Sequence, residues 1–287
     1  MKKAAIYQQK RAGAPGWFNK WVQSPRWLLG FAIVATLCLA VYAAGTVYGQ
    51  STAASTLGMA YGIAAAIVGV AVVAYGGRRR AQRIRSLGRT WYYLEVHVYG
   101  GVLFLLLVFM HTAFRVPQGL LTWLLWVTSL WMTVSGLFGL VLQKWIPTLL
   151  ASGLSVEVHV DRIPDLIVEL RNRADALVET AAEPVRALYR REVAPVMEGP
   201  QPRWIYYIDA TGGFRSKARR FEHIRRLLPG ADQAALDELL ELYRTKLEMD
   251  AHFTLQRTLR AWLYLHVPAA ILMFGLLVLH VFFVLYY

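Results

Sequence analysis

Apolar positions fall in five long runs along this chain, at residues 27–48, 57–75, 90–114, 120–145 and 259–286. Each approaches the ~20 residues that an α-helix needs to cross a bilayer. Tryptophan and tyrosine gather at their ends, at Trp27, Trp91, Tyr92, Tyr93, Trp145, Tyr286 and Tyr287, where amphipathic rings suit the membrane–water interface. Polar positions dominate only between the fourth and fifth runs. There the spacing of Ile163, Leu166, Ile167, Leu170, Leu177 and Val178 predicts an amphipathic helix, with Asp161 as its cap and Pro164 in its first turn. Residues 199–202 break that pattern, 204–209 read as a short strand, and Gly212 with Gly213 reads as a turn. Asp232 opens another helix, with Leu236, Leu239, Leu240 and Tyr243 on one side, able to continue into the fifth run. The expected fold is an all-α integral membrane helical bundle of about five transmembrane helices, with a mostly helical insert between helices four and five. Its parts are a basic N-terminal segment (1–26), helices one to four (27–147), an extramembrane insert (148–256) and helix five (257–287).

Composition and charge sharpen this picture. Hydrophobic residues make up 56% of the 287, above the usual ~45–50%, and their clustering in runs points to spans rather than to a large soluble core. The formal charge of +13 is not that of a nucleic-acid binder, because of where it sits. Residues 1–150 hold fourteen Lys/Arg against one acid, Glu95, whereas residues 151–256 hold 15 Lys/Arg against 17 Asp/Glu. The excess flanks apolar runs, as topology signals do. Lys2, Lys3, Lys10, Arg11, Lys20 and Arg26 precede the first run, and Arg78, Arg79, Arg80, Arg83, Arg85 and Arg89 separate the second from the third. The positive-inside rule then puts the N-terminus and the 148–256 insert in the cytoplasm and the C-terminus outside, in a bacterial-type inner membrane. The first run lies too far from the start, and is too long, for a cleaved signal peptide, so it reads as a retained anchor.

Candidate chemistry lies in two of the apolar runs. His97 and His111 share one, His266 and His280 the other, and each pair is fourteen residues apart. Fourteen helical residues rise about 21 Å through nearly four whole turns, so both histidines of a pair face nearly the same way, one near each membrane surface. Side by side, two such helices couple His97 with His266 at inner depth and His111 with His280 at outer depth. An imidazole in a bilayer needs a polar partner. Mononuclear zinc or copper would need three or four ligands at one depth. Two per depth suit the axial positions of a haem iron, whose filled coordination leaves electron transfer as its task. The single cysteine, Cys38, excludes CxxCH attachment, disulfides and cysteine-ligated clusters within this chain, so such a haem is held non-covalently.

Other residues fit around that reading. Small residues where a haem would pack are Gly100, Gly101, Gly136, Gly139 and Gly69, equally suited to helix–helix packing. For haem propionates, Arg115 is the outer candidate, and Arg89, Arg257 and Arg260 are inner ones that positive-inside flanking also explains. Glu95 is expected to pair with an interfacial arginine, the alternative being a proton relay to a quinone. His159, His223 and His252 read as surface histidines. The basic run 215–226 reads as a solvated or lipid-headgroup face, or as a docking patch for an acidic redox partner.

The segments LEVHVYGGVLFLLLVFMHTAFR and AWLYLHVPAAILMFGLLVLHVFF carry H-x13-H on two helices separated by one helix without ligands. This resembles the four-helix haem core of cytochrome b from respiratory bc-type complexes, and the b-type anchor subunits of formate dehydrogenases and hydrogenases. The resemblance covers about helices two to five. It implies two haem b groups with His97, His266, His111 and His280 as axial ligands, and Arg115 loosely matches an arginine that follows a ligand in such proteins. The chain departs from the bc pattern in its extra first helix, its lack of a second membrane half and of a P-E-W-Y-type motif, the inside-to-outside direction of its histidine helices, and its long insert. The expected function is therefore an electron-carrying subunit linking a quinone pool or cytoplasmic donor to a redox partner, such as a multihaem c-type cytochrome or an iron–sulfur protein. Its other expected contact is membrane lipid. A transmembrane ferric or metal reductase, and a non-redox anchor with structural histidines, stay open as alternatives.

Overall fold

The computed structural model describes residues 25–50, 52–81, 88–153 and 160–286. The basic segment up to residue 24, together with Arg83, Arg85, His159 and Tyr287, lies outside these. The described residues form helices, short helical turns and loops, with no strand among them. The helices are α1 (Pro25–Val47), α2 (Thr56–Arg80), α3 (Thr90–His111), α4 (Leu120–Gly153), α5 (Ile163–Glu179), α6 (Glu183–Leu188), α7 (Phe214–Arg225) and α8 (Gly230–Tyr286). Helices α1 to α4 and α8 are long and apolar enough to cross a membrane. The chain is a multi-pass, all-α membrane protein.

Local chemistry sets the helix ends. Ser55 caps α2 by accepting a hydrogen bond from the Gly58 N–H at 3.1 Å. Helix α3 stops at His111, three residues before the apolar run does, because Ala113 and Phe114 take left-handed φ angles of 55° and 57°. The Phe114 N–H then closes the end on the Phe109 carbonyl at 2.7 Å. Helix α4 carries Pro147 within it and runs on to Gly153. Helix α8 is continuous for 57 residues, so the helix that opens near Asp232 is also the fifth span.

Two compact units divide the chain, one of residues 15–142 and 262–287, the other built chiefly of 143–261. In the membrane unit α2 packs along α3. A Cβ on Gly100 would lie 3.0 Å from Val72, and one on Gly69 would lie 3.3 Å from the Phe104 ring. The core between the spans includes Tyr61, Ala65, Phe104, Leu107, Met110 and Met273. The Tyr61 hydroxyl donates to the Cys38 carbonyl at 2.8 Å, tying α2 to α1. Arg78 is buried and donates to the carbonyls of Ala81 and Gly88 at 3.0 and 2.8 Å. That arginine closes the α2–α3 link as well as adding to its charge.

The second unit packs α5, α6, α7 and the first part of α8 around Leu170, Ala174, Val178, Val185, Leu188, Phe221, Leu236, Leu239, Tyr243 and Leu247. The apolar spacing read in α5 is its buried face, with Ile163, Ile167, Leu170 and Val178 buried. Two sequence expectations change here. Residues 204–209 are not a strand: Trp204–Tyr207 is a 3₁₀ turn, because aromatic and β-branched residues suit a packed turn as well as a sheet. Asp161 does not cap α5, whose cap position is Arg162 with no side-chain bond. Its carboxylate instead takes both guanidinium nitrogens of Arg260, at 2.7 and 3.0 Å.

Candidate functional site: two opposed histidine pairs

Helices α3 and α8 bring the four membrane histidines together in two couples. The ring centres of His97 and His266 are 6.5 Å apart with planes at 71°. Those of His111 and His280 are 6.4 Å apart at 72°. The pairing matches the depth assignment made from the fourteen-residue spacing. His97 and His266 form the couple nearer the insert, and His111 and His280 the far couple.

The separation has a chemical meaning. An imidazole nitrogen binds a first-row metal at about 2.0–2.1 Å. That nitrogen lies a little over 1 Å from its ring centre, so one metal between two opposed imidazoles puts the ring centres roughly 6.4 Å apart. Both couples sit at that spacing. No cluster of three or more His, Cys, Asp or Glu side chains able to hold a metal occurs among the described residues. Each couple brings two imidazoles together without a third metal-binding side chain among the described residues.

Hydrogen bonds orient the rings. His97 Nδ1 lies 3.0 Å from the Val72 carbonyl, and His111 Nδ1 lies 2.8 Å from the Gly58 carbonyl. A carbonyl only accepts, so in both rings Nδ1 carries the hydrogen and Nε2 keeps the lone pair that binds metals. His266 Nδ1 lies 2.9 Å from Ser135 Oγ, whose own hydroxyl is 3.3 Å from the Met132 carbonyl. With that hydroxyl donated to Met132, Oγ accepts from His266. Such outer partners fix the tautomer and raise the basicity of a ligating histidine.

The surroundings of the insert-side couple are built around α4. The Trp262 ring stacks on His266 with centres 5.1 Å apart, and its indole N–H donates to the Ser135 carbonyl at 2.8 Å. Gly139 makes room for that indole, since a Cβ there would come within 2.0 Å of it. Gly136 lies against His266, its absent Cβ 3.6 Å from the imidazole. Tyr75 flanks His97 at 5.1 Å between ring centres. At the far couple Gly62 does the equivalent for His111, whose ring would lie 2.9 Å from a Cβ on it. Ser135, Trp262, Tyr75 and Gly62 escape the sequence reading. A hydroxyl one turn before Gly139 in an apolar helix is the only hint of Ser135.

The remaining candidates separate. Gly69 seats Phe104 and Leu277 rather than a histidine ring, and Gly100 seats Val72. Gly101 accepts from Thr133 through its carbonyl at 3.2 Å. Arg115 is exposed in the turn after α3, off the helical face that carries His111. Arg89 is exposed at the start of α3. Arg257 is exposed over the Phe253 ring, and Arg260 is paired with Asp161. Glu95 is 1% exposed, and among the described residues no arginine pairs with it and neither carboxylate oxygen has a hydrogen-bond partner. His223 is exposed as expected, but His252 is buried and meets the Gln256 amide at 3.3 Å.

The basic run on α7 makes contacts within its own unit. Arg225 pairs with Asp237, and Lys217 lies over the Tyr243 ring. Comparison with protein-family models, with curated proteins and with solved structures finds no match for this chain.

Proposed function

We propose that this chain is a di-haem b membrane subunit that carries electrons across the bilayer. The observation that supports it most is the spacing of the two imidazole couples, 6.5 and 6.4 Å between ring centres. His97 with His266, and His111 with His280, would each hold one haem, and the bound groups supply one-electron chemistry. The protein's part is to present Nε2 from each ring, fix its tautomer through Val72, Gly58 and Ser135, and exclude water with apolar helices. No described side chain adds a further ligand at either couple, which favours transfer over substrate chemistry. The positive-inside pattern orients the insert and the His97–His266 couple toward the cytoplasm of a bacterial-type membrane. Electrons then pass between a quinone pool or cytoplasmic donor and an outer redox subunit, such as a multihaem c-type cytochrome.

Purified protein should show a reduced-minus-oxidised spectrum of low-spin haem b, with a pyridine haemochrome stoichiometry of two per chain. A folded preparation carrying no haem would overturn the proposal. Ser135→Ala tests the built surroundings. It should keep both haems but raise the midpoint potential of one by tens of millivolts, because loss of its hydrogen bond makes His266 less basic and stabilises ferric iron less. Redox titration of wild type and variant reads this directly. Equal shifts of both haems, or none, would remove Ser135 from the role.

A further inference from the structure

The unit of residues 143–261 carries an exposed apolar turn that its own core does not use. Trp204 is 87% exposed and Ile208 86%, with Ile205 also exposed between them. Tyr206, in the same turn, is fully buried, so the turn is anchored while its neighbours point outward. Three apolar side chains displayed this way are costly in water unless something covers them.

The anchors of the turn say where it lies. Tyr207 stacks on Trp145, with ring centres 6.2 Å apart and planes at 26°, and its hydroxyl meets Thr258 Oγ1 at 2.6 Å. Trp145 follows Gln143 and Lys144, the first amide and charged side chains in α4, and Thr258 stands where α8 passes from polar to apolar sequence. Both mark the polar–apolar boundary of a spanning helix, which is where a bilayer's interface falls. The turn is therefore held at that depth. Arg203 and Arg257 are exposed, close in sequence to the turn and to Thr258. An indole and aliphatic side chains flanked by arginines match the headgroup–acyl boundary of a membrane carrying anionic lipid.

We propose that residues 204–208 form an interfacial anchor, inserting Trp204, Ile205 and Ile208 into the lipid leaflet on the insert side. The anchor is independent of the haem reading, and its occupant is phospholipid.

The test uses full-length protein with Cys38→Ser and a single new cysteine, Ile208→Cys, labelled with an environment-sensitive fluorophore. Ile208 is almost fully exposed, so its replacement leaves the core intact. The protein is placed in nanodiscs of phosphatidylcholine with a minority of phosphatidylglycerol. The expected result is emission quenched several-fold by lipids brominated in their acyl chains and shielded from aqueous iodide. Leu227→Cys provides the contrast: Leu227 is 73% exposed beside the end of α7, whose Arg225 pairs with Asp237. A label there should be open to iodide and untouched by brominated lipid. Trp204→Cys should repeat the Ile208→Cys result. Iodide access at both anchor positions would overturn the proposal. So would shielding from iodide without quenching by lipid, which would mean that protein covers the turn.

Discussion

His97→Ala and His266→Ala should each leave a protein with one haem in place of two, and the haem that remains should be the same one in both. His111→Ala and His280→Ala should each lose the other. The expectation follows from the opposed rings. Two imidazoles with ring centres 6.5 Å apart would hold one haem in the proposed reading, and removing either would leave it a single protein ligand. The helices themselves should survive, because α3 also packs on α2 through Gly100 against Val72 and Phe104 against Gly69. Haem content by pyridine haemochrome, together with the split of low-temperature α-bands, assigns each variant. Four variants that each perturbed both haems equally, or a His97→Ala variant that lost the haem lost by His280→Ala, would break the pairing by depth.

Asp250→Ala should cost about 3–5 kcal/mol of stability, the usual penalty for leaving one buried charge without its partner. Lys246 and Asp250 are both fully buried, with the ammonium 2.7 Å from each carboxylate oxygen. The Gln201 N–H donates to the same carboxylate at 2.9 Å, so the pair also pins the loop after residue 197 to α8. Burial, and then the Asp250 carboxylate, push the Tyr206 phenol above its ordinary range. Lys246→Met with Asp250→Leu removes both charges and should recover most of the loss, since a well-packed apolar pair can replace a buried ion pair. Thermal unfolding of the two variants against wild type reads the difference. A single variant as stable as wild type would mean that water reaches Lys246.

The five spans and the pairing of histidines were legible because both rest on period and length, which a sequence displays directly. Fourteen residues bring a helix back to nearly the same face, and no tertiary detail is needed to see it. The orienting groups were not legible. Ser135 is one of several hydroxyl residues on α4, and only the approach of α8 selects it over Thr133 or Ser129. Asp161 finds Arg260 ninety-nine residues away, a contact that outweighs the cap expected from local sequence. The early end of α3 depends on two non-glycine residues in left-handed conformations, for which Ala113 and Phe114 give no sign. His252 was expected at the surface because its sequence neighbourhood is polar, but it faces inward from α8.

The donors of Nδ1–H at His97 and His111 bond to backbone carbonyls of α2, at Val72 and Gly58. A carbonyl belongs to every residue type, so no point substitution at either position deletes the acceptor. The acceptors of these two rings therefore cannot be removed by a side-chain change, whereas that of His266, the Ser135 side chain, can. Drift along α2 leaves both acceptors in place, but a side chain at Gly62 would press on the His111 ring, 2.9 Å from its Cβ. If the proposed haem is bound there, the readily adjustable position at the insert-side couple is residue 135.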